Sequence, residues 1–183
     1  MNNNTIETNQ SNENLNESIT LSTITIRETA EEDLVNVMEL WNNGQVMNYV
    51  GFPEGLGTTL AELKTWLPWA INKPLRCHYS IYEQDLGYCG ETFYDVDDVH
   101  KLASLDIKLL PKAWGKGIAY QGLHYAIEKA FIVGGAERVY VDPHPDNKKA
   151  WNLYEKLGFK NDKRPEFLED WDTYLEIKRE DWN

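Results

Sequence analysis

Between positions 102 and 110 the chain alternates. Ala103, Leu105, Ile107 and Leu109 are apolar, and Ser104, Asp106 and Lys108 between them are polar. That period of two predicts a strand with one buried face. Past Pro111 the period lengthens. Ile118, Gly122, Leu123, Ala126, Ile127, Ala130 and Phe131 recur at helical spacing, predicting a helix over 117–133 that Gly134-Gly135 ends. Upstream, 23–27 reads as a strand and 31–41 as a helix with Leu34, Val37, Met38 and Trp41 on one stripe. A second helix covers 60–71 and is kinked or ended near Pro68. Residues 77–82 and 86–94 read as paired strands around Glu83-Gln84-Asp85, and 95–99 as an acidic connection. Downstream come a strand at 138–142, a short amphipathic helix at 148–157 capped by Gly158, a polar loop at 161–171, and a last strand at 173–178. The order β-α-α-β-β-β-α-β-α-β predicts a mixed α/β sheet with helices on both faces.

Residues 1–22 are rich in Asn, Ser, Thr and Glu. They carry too few apolar positions to offset the entropy of ordering, and are expected to be a disordered tail. Residues 23–183 form the single folded domain that this length accommodates. No stretch is apolar enough to span a bilayer, and the N-terminus lacks the basic-then-apolar order of a secretory signal. A cytoplasmic protein without a membrane partner is the expectation. Cys77 and Cys89, the only cysteines, read as reduced thiols on strands. They do not make a zinc site, and no metal is called for. The formal net charge of −12 argues against nucleic acid as a partner. It permits a cationic substrate, although ordinary solubility is the preferred account of the total.

Leu110-Pro111-Lys112-Ala113-Trp114-Gly115-Lys116-Gly117-Ile118-Ala119 holds the densest chemical signal. A strand stops, a glycine turn follows, and a helix begins. The first N–H groups of a helix lack internal partners and carry its positive dipole end, which makes an anion cradle. Gly115 and Gly117 let a phosphate approach closely. The spacing is neither a standard P-loop nor the standard dinucleotide fingerprint.

Gly115 to Ala119 resembles the pyrophosphate loop of the GNAT superfamily of acetyl-CoA-dependent N-acetyltransferases. The run from Asn147 to Phe159, Asn-Lys-Lys-Ala-Trp-Asn-Leu-Tyr-Glu-Lys-Leu-Gly-Phe, resembles the second signature of that superfamily. Ile24 to Thr29 resembles its first strand. Val46 to Gly51, Trp114 to Gly117 and Arg179 to Trp182 resemble segments of the ribosomal-protein N-terminal acetyltransferase branch. Trp114 stands where the family loop usually begins with Arg or Gln, so a phosphate contact from that side chain is lost. The resemblance implies a single GNAT-like domain whose mixed, mostly antiparallel sheet is splayed between strands four and five.

The resemblance also implies roles. Lys108 and Leu109 supply the backbone amides that face the thioester. Trp114, Gly115, Lys116, Gly117, Ile118 and Ala119 hold the pyrophosphate of acetyl-CoA, and Asn147 contacts the pantetheine arm. Tyr154 is the general acid, a phenol of pKa about 10 facing a thiolate of about 8.5 to 10. Two readings of the residues themselves compete with these roles. Asn147 also suits a helix cap, and Tyr154 also falls on an apolar stripe with Ala150, Leu153 and Leu157. Asp106 and Glu91 are the candidate bases, each with an alternative life as a solvated or structural carboxylate, and water alone can serve instead. His144 reads as a surface turn residue, with a place at the cleft mouth as the alternative. Tyr49, Trp66 and Trp69 are candidate walls of the acceptor pocket or members of the core.

The implied acceptor is a primary amine, with a protein N-terminus as the first reading. A small polycation, an aminoglycoside or a polyamine, is the alternative, because Asp142 to Asn147 resembles a stretch of aminoglycoside 6′-N-acetyltransferases and the chain is acidic. A non-catalytic acetyl-CoA sensor is the third reading. A homodimer is an expectation from the fold family.

Overall fold

The computed structural model describes residues 24–182. The proposed tail of residues 1–22 lies outside them. Strand β1 (Ile24–Glu28) opens a seven-stranded sheet. Helices α1 (Leu34–Trp41), α2 (Gly44–Met47) and α3 (Leu60–Ala70) follow. Then come β2 (Arg76–Glu83), β3 (Gly87–Asp97), β4 (Leu102–Leu109), helix α4 (Ile118–Ile132) and β5 (Arg138–Val141). Helix α5 (Lys148–Lys156) and strands β6 (Lys160–Asn161) and β7 (Leu175–Lys178) complete the chain. The spatial order is β1-β2-β3-β4-β5-β7-β6, and only β4 and β5 run parallel.

Helix α4 buries Ile118, Gly122, Leu123, Ala126, Ile127, Ala130 and Phe131, the stripe its sequence period defines. It lies over one face of β3 and β4, where Tyr94, Val96 and Ala103 join its core. Helices α1 and α3 cover the opposite face through Leu34, Val37, Leu40 and Leu63. Cys77 and Cys89 are both free and fully buried, in separate clusters. Among the described residues no helix is long and apolar enough to cross a membrane.

Some expectations shift. The helix predicted over 31–41 begins with a 3-10 turn at Glu31–Asp33 before α1 proper. Pro68 sits inside α3 without ending it. The acidic segment at 95–99 is mostly strand, because Asp95 and Asp97 pair with Ser104 and Leu102 at the far end of β3. The two-residue β6 and the one-turn α2 are too short for any periodicity to register.

One irregularity positions the site. The β2–β3 register shifts between Ile81 and Tyr82, so that Ile81 faces Gly90 and Tyr82 faces Tyr88, leaving Cys89 as a bulge. On an unbroken strand Tyr88 and Glu91 would point to opposite faces. The bulge brings both to the side of α1, with Tyr88 among the core of α1 and α3 and Glu91 bonded to Trp41. Gly90 is required there. A Cβ on it would lie 2.1 Å from the Lys108 carbonyl oxygen.

Candidate active site

β4 and β5 pair only at Leu102, Ala103 and Ser104. From Leu105 to Leu109 the edge of β4 has no strand beside it, and β5 itself ends at Val141. The sheet therefore opens into a fork. Leu110 donates its N–H to Cys89 on β3. Because backbone direction alternates along a strand, the N–H groups of Lys108 and Asp106 also face β3, and those of Leu109 and Ile107 face the open side. Trp114 donates its indole N–H to the Leu109 carbonyl at 2.8 Å. The carbonyl at the mouth of the fork is occupied, and the Leu109 amide is free to donate.

The glycine turn stands directly above. Gly115 and Gly117 have φ of 73° and 77°, and a Cβ on either would meet no atom within 4 Å. Both therefore border open space in a conformation that L side chains rarely adopt. Gly117 is the N-cap of α4, whose first turn closes with Gln121 N–H on the Gly117 carbonyl. The N–H groups of Ile118, Ala119 and Tyr120 remain without helical partners at the positive end of a 15-residue helix. Trp114, Gly115, Lys116 and Gly117 are exposed, and the Ile118 side chain is buried beneath them. This arrangement fits a diphosphate. Lys149 lies over the Trp114 ring at 5.4 Å, bringing a cation from α5 to the same rim.

Tyr154 and Asn147 occupy the far arm. The Asn147 side chain accepts from Ala150 N–H at 3.2 Å and caps α5. Tyr154 is nearly buried, and among the described residues its hydroxyl makes no hydrogen bond. Burial pushes its phenol well above the ordinary value, assisted by Asp106 and Asp142. Asp106 belongs to β4 and Asp142 follows β5, so the hydroxyl lies near both arms of the fork.

On the side of α1 and α3 a cleft of about 320 Å3 opens beside β4. Its walls include Trp41, Trp66, Trp69 and Phe93, and its floor holds Glu91 and His78. Glu91 is 3% exposed. Its Oε1 accepts from the Trp41 indole at 2.7 Å and lies 3.5 Å from Lys108 Nζ. Its Oε2 lies 3.0 Å from His78 Nε2. Burial alone would raise the Glu91 carboxyl, but His78, Lys108 and the Trp41 bond hold it below the usual carboxylate range. Burial likewise works against the charge on Lys108, and Asp106 and Glu91 more than offset it, so the ammonium is held above its ordinary value. Asp106 is half-exposed and paired with Lys108.

Leu109, Trp114 and the glycine turn meet at the mouth of the fork, Tyr154 lies nearer Asp106 and Asp142, and Asp106 itself lines the cleft beside Lys108. Glu91 lies across β4 in the cleft, with the Lys108 side chain reaching it rather than the fork. Lys116 stays in solvent. Trp66 and Trp69 line the cleft, with Trp69 half-exposed and tilted against Phe93 at 5.9 Å between ring centres. Tyr49 is not among the residues lining the cleft; its ring lies 5.7 Å from that of His144, so the segment after α2 approaches the turn before α5. Sequence reasoning singled out neither His78 nor Thr29, and placed Trp41 only on the apolar stripe of its helix. The signal for His78 was alternation, because Cys77, Tyr79 and Ile81 face α4 and put His78 on the face covered by α1 and α3.

Comparison with known proteins agrees with this fold. A family model described as an acetyltransferase (GNAT) domain matches residues 23–160. Spermidine N(1)-acetyltransferase of Escherichia coli strain K12 is 29% identical over 137 residues, 74% of this chain and 72% of that protein. The Vibrio cholerae protein of the same name is 25% identical over 139 residues, 75% of this chain and 79% of its own length. A crystal structure of spermidine N-acetyltransferase from Vibrio cholerae in complex with CoA and spermine superposes with a TM-score of 0.72 at 22% identity, covering 86% of this chain and 96% of that one. That superposition speaks for the fold.

Proposed function

On the premise that the chain belongs to the GNAT acetyltransferase family, and so is an acetyl-CoA-dependent N-acetyltransferase, we propose that its acceptor is a polyamine of the spermidine class. The relatives carry that substrate in their names. They favour the polyamine alternative over a protein N-terminus, and they are not ribosomal-protein enzymes. The observation that carries the reading is the pairing of a buried carboxylate, Glu91, with aromatic walls in one cleft beside the fork. Aromatic faces accept ammonium ions by cation–π attraction and also cover the methylene segments between them. Asp106 adds a half-exposed carboxylate at the rim.

When bound, acetyl-CoA supplies an activated acetyl thioester. The residues do the rest. The α4 N-terminus and the glycine turn hold the diphosphate. The Leu109 amide donates toward the carbonyl oxygen as it gains negative charge. Tyr154 offers its proton at the fork, where burial keeps the phenol protonated at neutral pH. The tryptophans exclude water from the amine.

Thiol release from acetyl-CoA, measured with spermidine, spermine and a short peptide bearing a free N-terminus, tests the acceptor. Turnover with the polyamines and background rates with the peptide are expected. The reverse pattern restores the protein N-terminus, and tight acetyl-CoA binding without turnover on any amine would mark a sensor.

A further inference from the structure

His78 and Glu91 are nearly solvent-free, 1% and 3% exposed, yet both line the acceptor cleft. Nε2 and Oε2 lie 3.0 Å apart, and neither atom has another partner among the described residues. Buried polar atoms left in this state are uncommon and call for a reason.

The other ring nitrogen is served differently. Nδ1 lies 2.8 Å from Thr29 Oγ1, and Thr29 Oγ1 lies 2.8 Å from Ser80 Oγ, where either hydroxyl can be the donor. Thr29 is fixed in place by its own N–H on the His78 carbonyl at 2.9 Å. A hydroxyl both donates and accepts. When Nδ1 bears no proton, Thr29 donates to it and accepts from Ser80. When Nδ1 bears one, Thr29 accepts it and donates to Ser80. The imidazole can therefore change tautomer or charge without stranding Nδ1.

We propose that His78 and Glu91 act as one proton-accepting pair for the attacking amine, with His78 working through Glu91 as a positioning and storage residue and the Thr29–Ser80 hydroxyls as its reversible partner. An amine reaches the cleft as an ammonium ion. One N–H bond breaks, the proton passes to the Glu91 carboxylate, and the freed electron pair on nitrogen forms the new bond to the acyl carbon; the C–S bond then breaks, the departing thiolate takes the Tyr154 proton, and the second proton on nitrogen returns to the Tyr154 oxygen. In the Nδ1–H tautomer His78 presents a lone pair on Nε2, and the proton moves from Oε2 to Nε2, leaving imidazolium beside carboxylate. The ionisable groups around the pair suit this. Lys108 and Asp106 on β4 form their own ion pair, Tyr88 on β3 is held neutral by burial, and Trp41 and Trp66 bring only rings from α1 and α3. The acetylated product is uncharged at that nitrogen and loses its attraction to the cleft as the pair gains its proton.

The inference rests on the acetyltransferase reading, and its test separates the two. Wild-type protein releasing thiol with an amine secures the activity. The rate with that amine is then followed against pH in wild type, His78→Gln and Thr29→Val. Wild type is expected to show an acid limb in kcat. His78→Gln should lower kcat about 100-fold, abolish that limb, and leave KM for acetyl-CoA unchanged. Thr29→Val should move the limb along the pH axis with a smaller loss. A folded His78→Gln enzyme with wild-type kcat and pH profile overturns the proposal. Isotope-labelled histidine NMR on the wild-type protein covers the case of variants that do not fold. Of the four histidines, His78 is identified by replacing the other three. An imidazole that keeps one tautomer and one charge state from pH 5 to 9, with and without amine, equally overturns it.

Discussion

Trp114 donates its indole N–H to the Leu109 carbonyl at 2.8 Å, tying the first residue of the glycine turn to the last residue of β4. The tie does two jobs. It occupies an acceptor at the mouth of the fork, and it fixes the turn relative to the amide proposed to stabilise the thioester carbonyl. Trp114→Phe keeps the ring and removes the donor. One neutral hydrogen bond contributes about 1 kcal/mol. The variant should bind acetyl-CoA about fivefold more weakly by calorimetry and show a comparable fall in kcat. Unchanged values of both would mean that the bond is incidental.

Tyr154 stands apart from that loop. Its hydroxyl makes no protein hydrogen bond among the described residues, so removing it disturbs no partner. Tyr154→Phe should lower kcat about 100-fold while acetyl-CoA affinity stays near wild type. Because the stripe reading of Tyr154 predicts only packing, the two differ sharply. A Phe variant with full kcat and unaltered thermal stability would assign Tyr154 to the core alone.

Gly117 and Gly90 should fail in different ways. Gly117 has a left-handed backbone over open space, so Gly117→Val strains the turn by about 1–2 kcal/mol and fills the proposed diphosphate position. Acetyl-CoA affinity should drop at least about tenfold with a modest change in melting temperature. At Gly90 the added Cβ of Gly90→Ala collides with the Lys108 backbone. That forces β3 from β4 and costs about 3 kcal/mol, a fall of roughly 6–12 °C for a domain of this size. Calorimetric melting with and without acetyl-CoA distinguishes the two. Equal effects of both on stability would deny the cradle its geometry.

The sequence carried the helical half of this structure well. The α4 stripe repeats over four turns, and only one face of such a helix can be buried. The fork was legible only through family resemblance, since nothing local to Leu105–Leu109 says that β5 stops alongside Ser104. The far end of β3 was misread because Asp95 and Asp97 look like a solvated connection, although on an antiparallel strand such residues simply alternate outward. Glu91 was singled out, but its burial and partners were not. His78 pairs with Phe93 and Ser80 with Glu91, so His78 and Glu91 are diagonal neighbours on one face. That relation depends on register, and the bulge at Cys89 that finishes the face leaves only a glycine as its trace.

The ion pairs of Glu91 give the fold a pH signature. Burial opposes its charge, yet His78, Lys108 and Trp41 lower its carboxyl below the ordinary 4.5. A depressed folded value means that ionised Glu91 contributes stability above about pH 4.5, lost as pH falls through the folded value. Lys108 runs the other way. Its folded value is raised above 10.5, so its contribution is present below that pH and lost as pH rises through the folded value. Stability from this pair is therefore level from about pH 5 to about pH 10 and falls on both sides. Glu91→Gln should lower the plateau by about 2 kcal/mol, because Lys108 keeps Asp106 but loses a buried partner. It should also flatten the acid-side slope of urea-unfolding free energy over the interval below about pH 4.5. A variant whose curve runs parallel to wild type across that interval would place the Glu91 charge outside the energetics of the fold.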